Sequence, residues 1–254
     1  MAVSNIQHFE YEYILDRTLE CPVCDTKFKA KSMKSNKARR IGADADLRPR
    51  FADVDSLKYL ACVCPKCGYA SLITTFGHLG SLQIKNLRAR AKENFDPFDF
   101  STLETYSYSN AVYILKHALF CCDLKFAKDG EKAYLNLVLA WIYREVLSIF
   151  ENEGVNEIPE MSKEKLQDAY DEHYLAAFDG FQNALMNERP PIVGMDQTTI
   201  EYLLAYMAYH FKKIDVAAKL VSNVITSSNA TRNVKEKARD LKDEIIDFIK
   251  NGRK

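Results

Sequence analysis

Cys21-Pro22-Val23-Cys24 and Cys64-Pro65-Lys66-Cys67-Gly68 decide how this 254-residue chain begins. Each is a C-x-x-C turn with proline in its second place. The N–H groups of such a turn can stabilise a thiolate. Gly68 supplies a residue that enters the left-handed region freely, so the backbone can fold under the sulfur. Asp25 stands where the first turn would favour glycine, and aspartate is one of the few other residues that tolerate that conformation. Four thiolates on two such turns predict a tetrahedral Zn²⁺ site with Cys21, Cys24, Cys64 and Cys67 as ligands, at Zn–S distances of about 2.3 Å. The protein fills all four positions, so the zinc is expected to be structural. Unliganded or redox-active thiols are the competing reading. The gap between the pairs is longer than the roughly 15–20 residues usual for such sites, so the intervening stretch is an insertion or has structure of its own.

That stretch is basic. Lys27 to Arg50 holds nine bases against Asp44 and Asp46, a net +7. Glu93 to Asn187 holds 17 acids against seven bases, a net −10. A basic segment of this kind can dock on an acidic one in the same chain, or bind phosphate. Lys34, Lys37, Arg39 and Arg40 are the candidate contacts for a partner or a nucleic acid, with Phe28 and Phe51 as stacking surface. Docking within the chain is the favoured expectation.

Outward from the turns, Phe9, Tyr11 and Tyr13 alternate in the manner of a strand, and Leu57 to Val63 reads as a strand entering the second turn. After residue 80 the texture becomes helical. Helices are expected over roughly 81–95, 103–127, 131–151, 163–187, 199–212, 214–227 and 231–250. Ser101 with Glu104, and Thr198 with Glu201, fit capping boxes. Ala111, Leu115 and Ala118 recur at i, i+4, i+7, as do Ala177, Phe181 and Ala184, with Ala217, Val221 and Val224 close to the same spacing. Small residues let helix backbones approach, which suits antiparallel helix pairs stacked in a row, although any bundle can show the pattern. Val234, Ala238, Leu241, Ile245 and Phe248 form one stripe on the last helix. The expected fold is mostly α: a small zinc-ribbon-like β module over residues 1–80, then a stack of antiparallel helices over 81–254.

Nine Gly and seven Pro are few for this length, which argues against a large all-β fold. Fourteen Tyr, fourteen Phe and one Trp can fill a core, which argues against disorder. No run reaches the roughly 20 apolar residues of a membrane span. Met1 to Leu19 lacks the basic start and apolar stretch of a signal peptide. The chain is therefore expected in the cytoplasm, where thiols stay reduced. Cys62 and the Cys121-Cys122 pair read as buried core thiols. His8, His78, His117, His173 and His210 form no metal motif, and no phosphate-binding or nucleophile motif occurs.

The order of these features resembles the bacterial DUF2225 family, a group with no assigned activity. The likeness runs from the first C-P-x-C through Asp44-x-Asp46-Leu47-Arg48-Pro49, Phe51 and Tyr59 to Val63-Cys64-Pro65-Lys66-Cys67-Gly68-Tyr69-Ala70. Tyr143-Arg144-Glu145 and the segment Tyr202 to Ile225 resemble that family's tetratricopeptide-like part. Asp25 and Asp55-Ser56 depart from the pattern, where Gly and Asn-Pro would be more usual. The resemblance implies a zinc ribbon with helical repeats and no catalytic residues. The expected function is therefore a non-enzymatic, zinc-stabilised adaptor whose tetratricopeptide-like surface binds a protein or peptide. Tyr170, Tyr174, Tyr202, Tyr206 and Tyr209 are candidate groove residues, with half-buried packing as the alternative. A nucleic-acid-binding regulator acting through residues 27–50 is the competing function, and a thiol oxidoreductase a third. No membrane role is expected.

Overall fold

Two short hairpins carry the two cysteine turns in a computed structural model that describes residues 10–34 and 36–251. His8, Phe9 and Ser35 lie outside the described residues. Strand β1 (Ile14–Glu20) pairs antiparallel with β2 (Lys27–Met33), from Ile14 opposite Met33 to Glu20 opposite Lys27. β3 (Arg40–Ala43) pairs with β4 (Pro49–Phe51). β5 (Ala61–Val63) pairs antiparallel with β6 (Ala70–Leu72). Tyr11–Tyr13 is a 3-10 turn rather than the expected strand, because the Ile14 N–H reaches back to the Tyr11 carbonyl and tightens the chain before β1.

Seven α-helices follow among the described residues: α1 (Ser81–Arg90), α2 (Tyr108–Leu124), α3 (Asp129–Glu153), α4 (Lys163–Asn187), α5 (Gln197–His210), α6 (Ile214–Thr226) and α7 (Arg232–Asn251). The expected caps lie elsewhere. Asp99 caps a 3-10 turn at Phe100–Thr102, and the true capping box before α2 is Ser107 with Asn110. Asp196 caps α5 by accepting from the Thr199 N–H, and Thr198 donates to the same carboxylate. An ionised aspartate only accepts, so Asp196 takes a bond from the Thr199 N–H and another from the hydroxyl of its neighbour Thr198. α2 and α5 end in the same turn. Ala127 N–H bonds Cys122 O at 2.8 Å, and Lys213 N–H bonds Ala208 O at 2.8 Å. Phe126 and Lys212 supply the left-handed residue, at φ 50° and 58°. This is a Schellman turn, made twice without glycine.

Compactness divides the described chain in two. One unit comprises residues up to Gly42, Pro49–Ala127 and Leu135–His173, and the other comprises Ala43–Arg48, Lys128–Tyr134 and the chain from Tyr174 onward. The boundary expected at residue 80 marks the start of α1, yet α1 and α2 share a unit with the strands. The reason is that α2 packs on β5 and β6, burying Ala118, Cys121 and Cys122 completely. In the same unit Tyr59 stacks on Tyr106, and Phe76 sits between Phe28 and Tyr69. In the second unit α5, α6 and α7 bury Leu203, Met207, Ala217, Val221, Ala238 and Leu241. The small and large residues at the i, i+4, i+7 positions of α2, α4 and α6 are all buried. α3 has the length and hydropathy of a membrane span, but 67% of its apolar window is buried inside the protein, as in a core helix.

Candidate metal centre

The two cysteine turns have the same backbone. Cys21 N–H bonds Thr26 O at 2.9 Å, and Cys64 N–H bonds Tyr69 O at 2.8 Å. The first cysteine's carbonyl then accepts from the fourth residue on: Asp25 N–H at 2.8 Å in one turn, Gly68 N–H at 3.0 Å in the other. Reversing the chain so tightly needs a left-handed residue after the second cysteine. Asp25 at φ 59° and Gly68 at φ 76° provide it, as the sequence suggests.

These turns bring four sulfurs together. Cys21, Cys24, Cys64 and Cys67 Sγ all lie within 4.8 Å of one another. Cys21 is 3.5 Å from Cys67, and Cys24 is 3.6 Å from Cys64. A disulfide needs about 2.05 Å, so these are not bridges. A tetrahedral ion with bonds of about 2.3 Å holds its sulfurs about 3.8 Å apart. The cluster can therefore hold a metal ion, and its donor set is the one that soft divalent ions and zinc prefer.

Hydrogen bonding favours thiolate at Cys64, whereas the Cys67 thiol, drawn down by Cys21 but raised by sharing with Cys64 and by burial, is pushed up to about 12. Hydrogen bonds from the Cys21 thiol, then Cys67, then the backbone N–H groups of Cys67 and Lys66, lower the Cys64 thiol to about 2. The same sharing with Cys64 and Cys67, together with burial, pushes Cys21 up. Thr26 Oγ1 stands 3.3 Å from Cys24 Sγ. Cys24 is the least buried of the four and lines a cleft with Val23, Asp25, Lys66, Cys67, Arg88 and Lys92. The three cations there would offset the excess negative charge of four thiolates around a divalent ion.

Helices support both turns. Arg88 of α1 donates to the Val23 carbonyl from Nε at 3.0 Å and Nη2 at 2.8 Å. Cys121 of α2 accepts from the Ala70 N–H at 3.4 Å, and its sulfur lies 3.8 Å from Gly68 O. His117 meets Ala91 O at 3.1 Å, flanked by the Phe95, Tyr113 and Phe120 rings, and its burial lowers its pKa. Sequence reasoning placed Cys121 in the core, where it is, but missed its bond to the second hairpin. No sequence signal carries that contact, since a core position on α2 looks the same whichever backbone it faces. Cys62 is 1% exposed, and burial pushes its thiol up.

The basic stretch is occupied close to home. Lys34 Nζ donates to Glu12 O at 2.9 Å, and Lys37 Nζ pairs with the Glu12 carboxylate at 3.2 Å. Lys31 pairs with Asp16 at 2.7 Å across the β1–β2 hairpin. Arg40 Nε donates to Gly42 O at 3.3 Å, and the Arg39 and Arg40 side chains are exposed. Arg50 reaches an acidic helix, pairing with Glu145 of α3 at 2.6 Å. Asp55 accepts from the Leu57 N–H and the Tyr108 hydroxyl, capping the turn Ser56–Tyr59. That explains an aspartate where the resemblance favoured Asn. Of the five candidate groove tyrosines, Tyr170, Tyr174 and Tyr202 are buried, and Tyr206 and Tyr209 are half-buried.

A family model described as an uncharacterized protein conserved in bacteria, DUF2225, matches residues 14–245, and the chain belongs to that family. No curated protein and no solved structure matches it.

Proposed function

We propose that this member of the DUF2225 family is a zinc-stabilised cytoplasmic adaptor that binds a protein partner through its tetratricopeptide-like helices and performs no catalysis. The closed four-sulfur set carries the reading. Zinc held by four protein thiolates keeps no position for water or substrate, so it supplies cohesion and not reactivity. The repeated Schellman turn after α2 and α5, with small residues buried along the helices, supports the repeat-like surface. The test is metal analysis of the purified chain together with a pull-down from native cytoplasm. Stoichiometric zinc, and a protein partner retained through a moderate-salt wash, are expected. A chain that folds without zinc and turns over a substrate would overturn the reading.

Exposed Lys27, Lys29, Arg39 and Arg40 keep nucleic acid as a second reading. That role needs several phosphates contacted at once, with affinity falling steeply as salt rises. Titrating DNA and RNA at low and moderate salt, against a variant with Lys34, Lys37, Arg39 and Arg40 changed to Ala, separates the two. Micromolar binding at moderate salt that vanishes in the variant would favour nucleic acid.

A further inference from the structure

Residues Ala43–Arg48 belong to the helical unit, although 157 residues separate Ala45 from Tyr202, the nearer of the two side chains that hold them. They form a closed turn: Asp44 N–H bonds Arg48 O at 2.9 Å, and Leu47 N–H bonds Asp44 O at 3.0 Å. The helices grip it by its main chain. Tyr202 of α5 donates its hydroxyl to Ala45 O at 2.5 Å. Lys237 of α7 donates to Asp44 O at 3.0 Å and to Ala43 O at 3.4 Å. Two side chains from two helices thus hold three successive carbonyls, which is how a groove holds a peptide. Asp240 and Glu244 of α7 lie within electrostatic reach of the same hydroxyl, as does Asp46.

The turn is poorly chosen as mere filler. Asp46 and Arg48 are each 1% exposed, and taking charged side chains out of water costs more than burying apolar ones of similar volume. Leu47 sits at φ 67°, a conformation that disfavours a side chain of its kind. The residues before it, Arg40, Ile41 and Gly42 of β3, are exposed, whereas β4 after it is half-buried.

We propose that α5 and α7 form a peptide-binding groove which the chain fills with its own residues 43–48, and that the partner is a protein presenting a tight Asp-x-Asp-Leu-Arg turn in their place. The proposal rests on the adaptor reading and names its ligand chemistry. The internal turn acts as a competitor. Its effective concentration is on the order of millimolar, so a free peptide binds the intact chain weakly.

The probe is a fluorescent, disulfide-closed peptide bearing residues 43–48. It is titrated into the full chain, into a full-chain variant whose residues 43–48 are replaced by six Gly/Ser residues, and into that variant with Lys237→Ala or Tyr202→Phe. The Gly/Ser variant should bind at least about tenfold more tightly than the intact chain. Loss of the Lys237 or Tyr202 bonds should weaken binding roughly three- to tenfold. A folded Gly/Ser variant that does not bind, or binding unchanged by both substitutions, would overturn the proposal. If the Gly/Ser variant does not fold, hydrogen exchange on the intact chain decides. Excess peptide should speed exchange of amides 43–48 and leave the rest unchanged, and no change there would overturn it. A salt-stable partner that the peptide fails to displace would sink this proposal and leave the adaptor reading standing. Peptide binding with no partner recovered from the cytoplasm would do the reverse.

Discussion

The turns at Cys21–Thr26 and Cys64–Tyr69 share one backbone and differ in what lies outside it. Beyond Asp25 is solvent, so a carboxylate occupies the left-handed position. Beyond Gly68 is the end of α1. A Cβ there would stand 2.5 Å from Ala91 O and 2.8 Å from the Phe95 ring. The turn therefore demands only the conformation, while the packing demands the glycine. The second hairpin packs under α1 and α2, whereas the first joins the core through Phe28 against Phe76 and has its cysteine turn held to α1 by the exposed Arg88.

The largest expected effect tests whether this asymmetry makes the metal part of that core. Structural zinc contributes on the order of 10–16 kcal/mol in small modules. Cys64→Ser, or chelation, should remove hydrogen-exchange protection from β1, β2, β5, β6 and α2 together. A residue-80 boundary would instead confine the loss to the strands. Protected α2 amides in the metal-free chain would show that the helix stands without the second turn.

Next comes Gly68→Ala against Asp25→Ala. At Gly68 the substitution adds a left-handed penalty of about 1–2 kcal/mol to an overpacking cost of about 1–3 kcal/mol. At Asp25 only the conformational part applies, and aspartate already bears most of it, so the loss should stay below about 1 kcal/mol. Denaturant midpoints of the zinc-loaded proteins measure both. Equal losses would mean that the turns alone, and not their surroundings, set the residue.

Much of this is legible in the sequence. The C-P-x-C spacing picks out the four cysteines that come together in a cluster able to hold a metal ion, because that geometry is local to two turns. The seven helices lie near their expected spans because buried small and large residues repeat at helical spacing. The unit boundary was not legible. It depends on α2 turning Ala118 and Cys121 towards β5 and β6, and the apolar stripe of α2 would read the same against another helix. The turn at residues 43–48 was also hidden. Its charges suggest an exposed loop, and only the distant hydroxyl of Tyr202 and ammonium of Lys237 show that it is buried. The basic stretch misled in part, since Lys34 and Lys37 meet Glu12 at the start of the chain.

The helical supports should rank in the same order as the turns. Cys121→Ala takes away the partner of the buried Ala70 N–H and should cost about 1–3 kcal/mol. Arg88→Ala removes an exposed guanidinium from the carbonyl of the buried Val23, and water entering the space it leaves can take its place, so the change should cost about 1 kcal/mol or less. Thermal melts with bound zinc compare them. A larger loss from Arg88→Ala would move the anchor of the site from α2 to α1.

The smallest effect belongs to Asp25→Gly, and its sign is informative. Glycine removes the left-handed penalty, which favours the folded state by up to about 1 kcal/mol. It also loosens the unfolded chain, which offsets roughly 0.5–1 kcal/mol of that gain. The two nearly cancel, so stability should change by less than about 0.5 kcal/mol. The substitution also removes a carboxylate from a cleft that holds Cys24 and Cys67 beside Lys66, Arg88 and Lys92. A negative charge beside a thiolate cluster opposes it, so zinc should be held slightly more tightly once the carboxylate is gone. Competition with a chelator at low and moderate salt reads this directly, and the gain should shrink as salt rises. Weaker zinc binding would mean that Asp25 does more than fill a left-handed position, for instance by holding the three cations in place around the sulfurs. The first turn would then depend on its surroundings as closely as the second, and the contrast between them would fail.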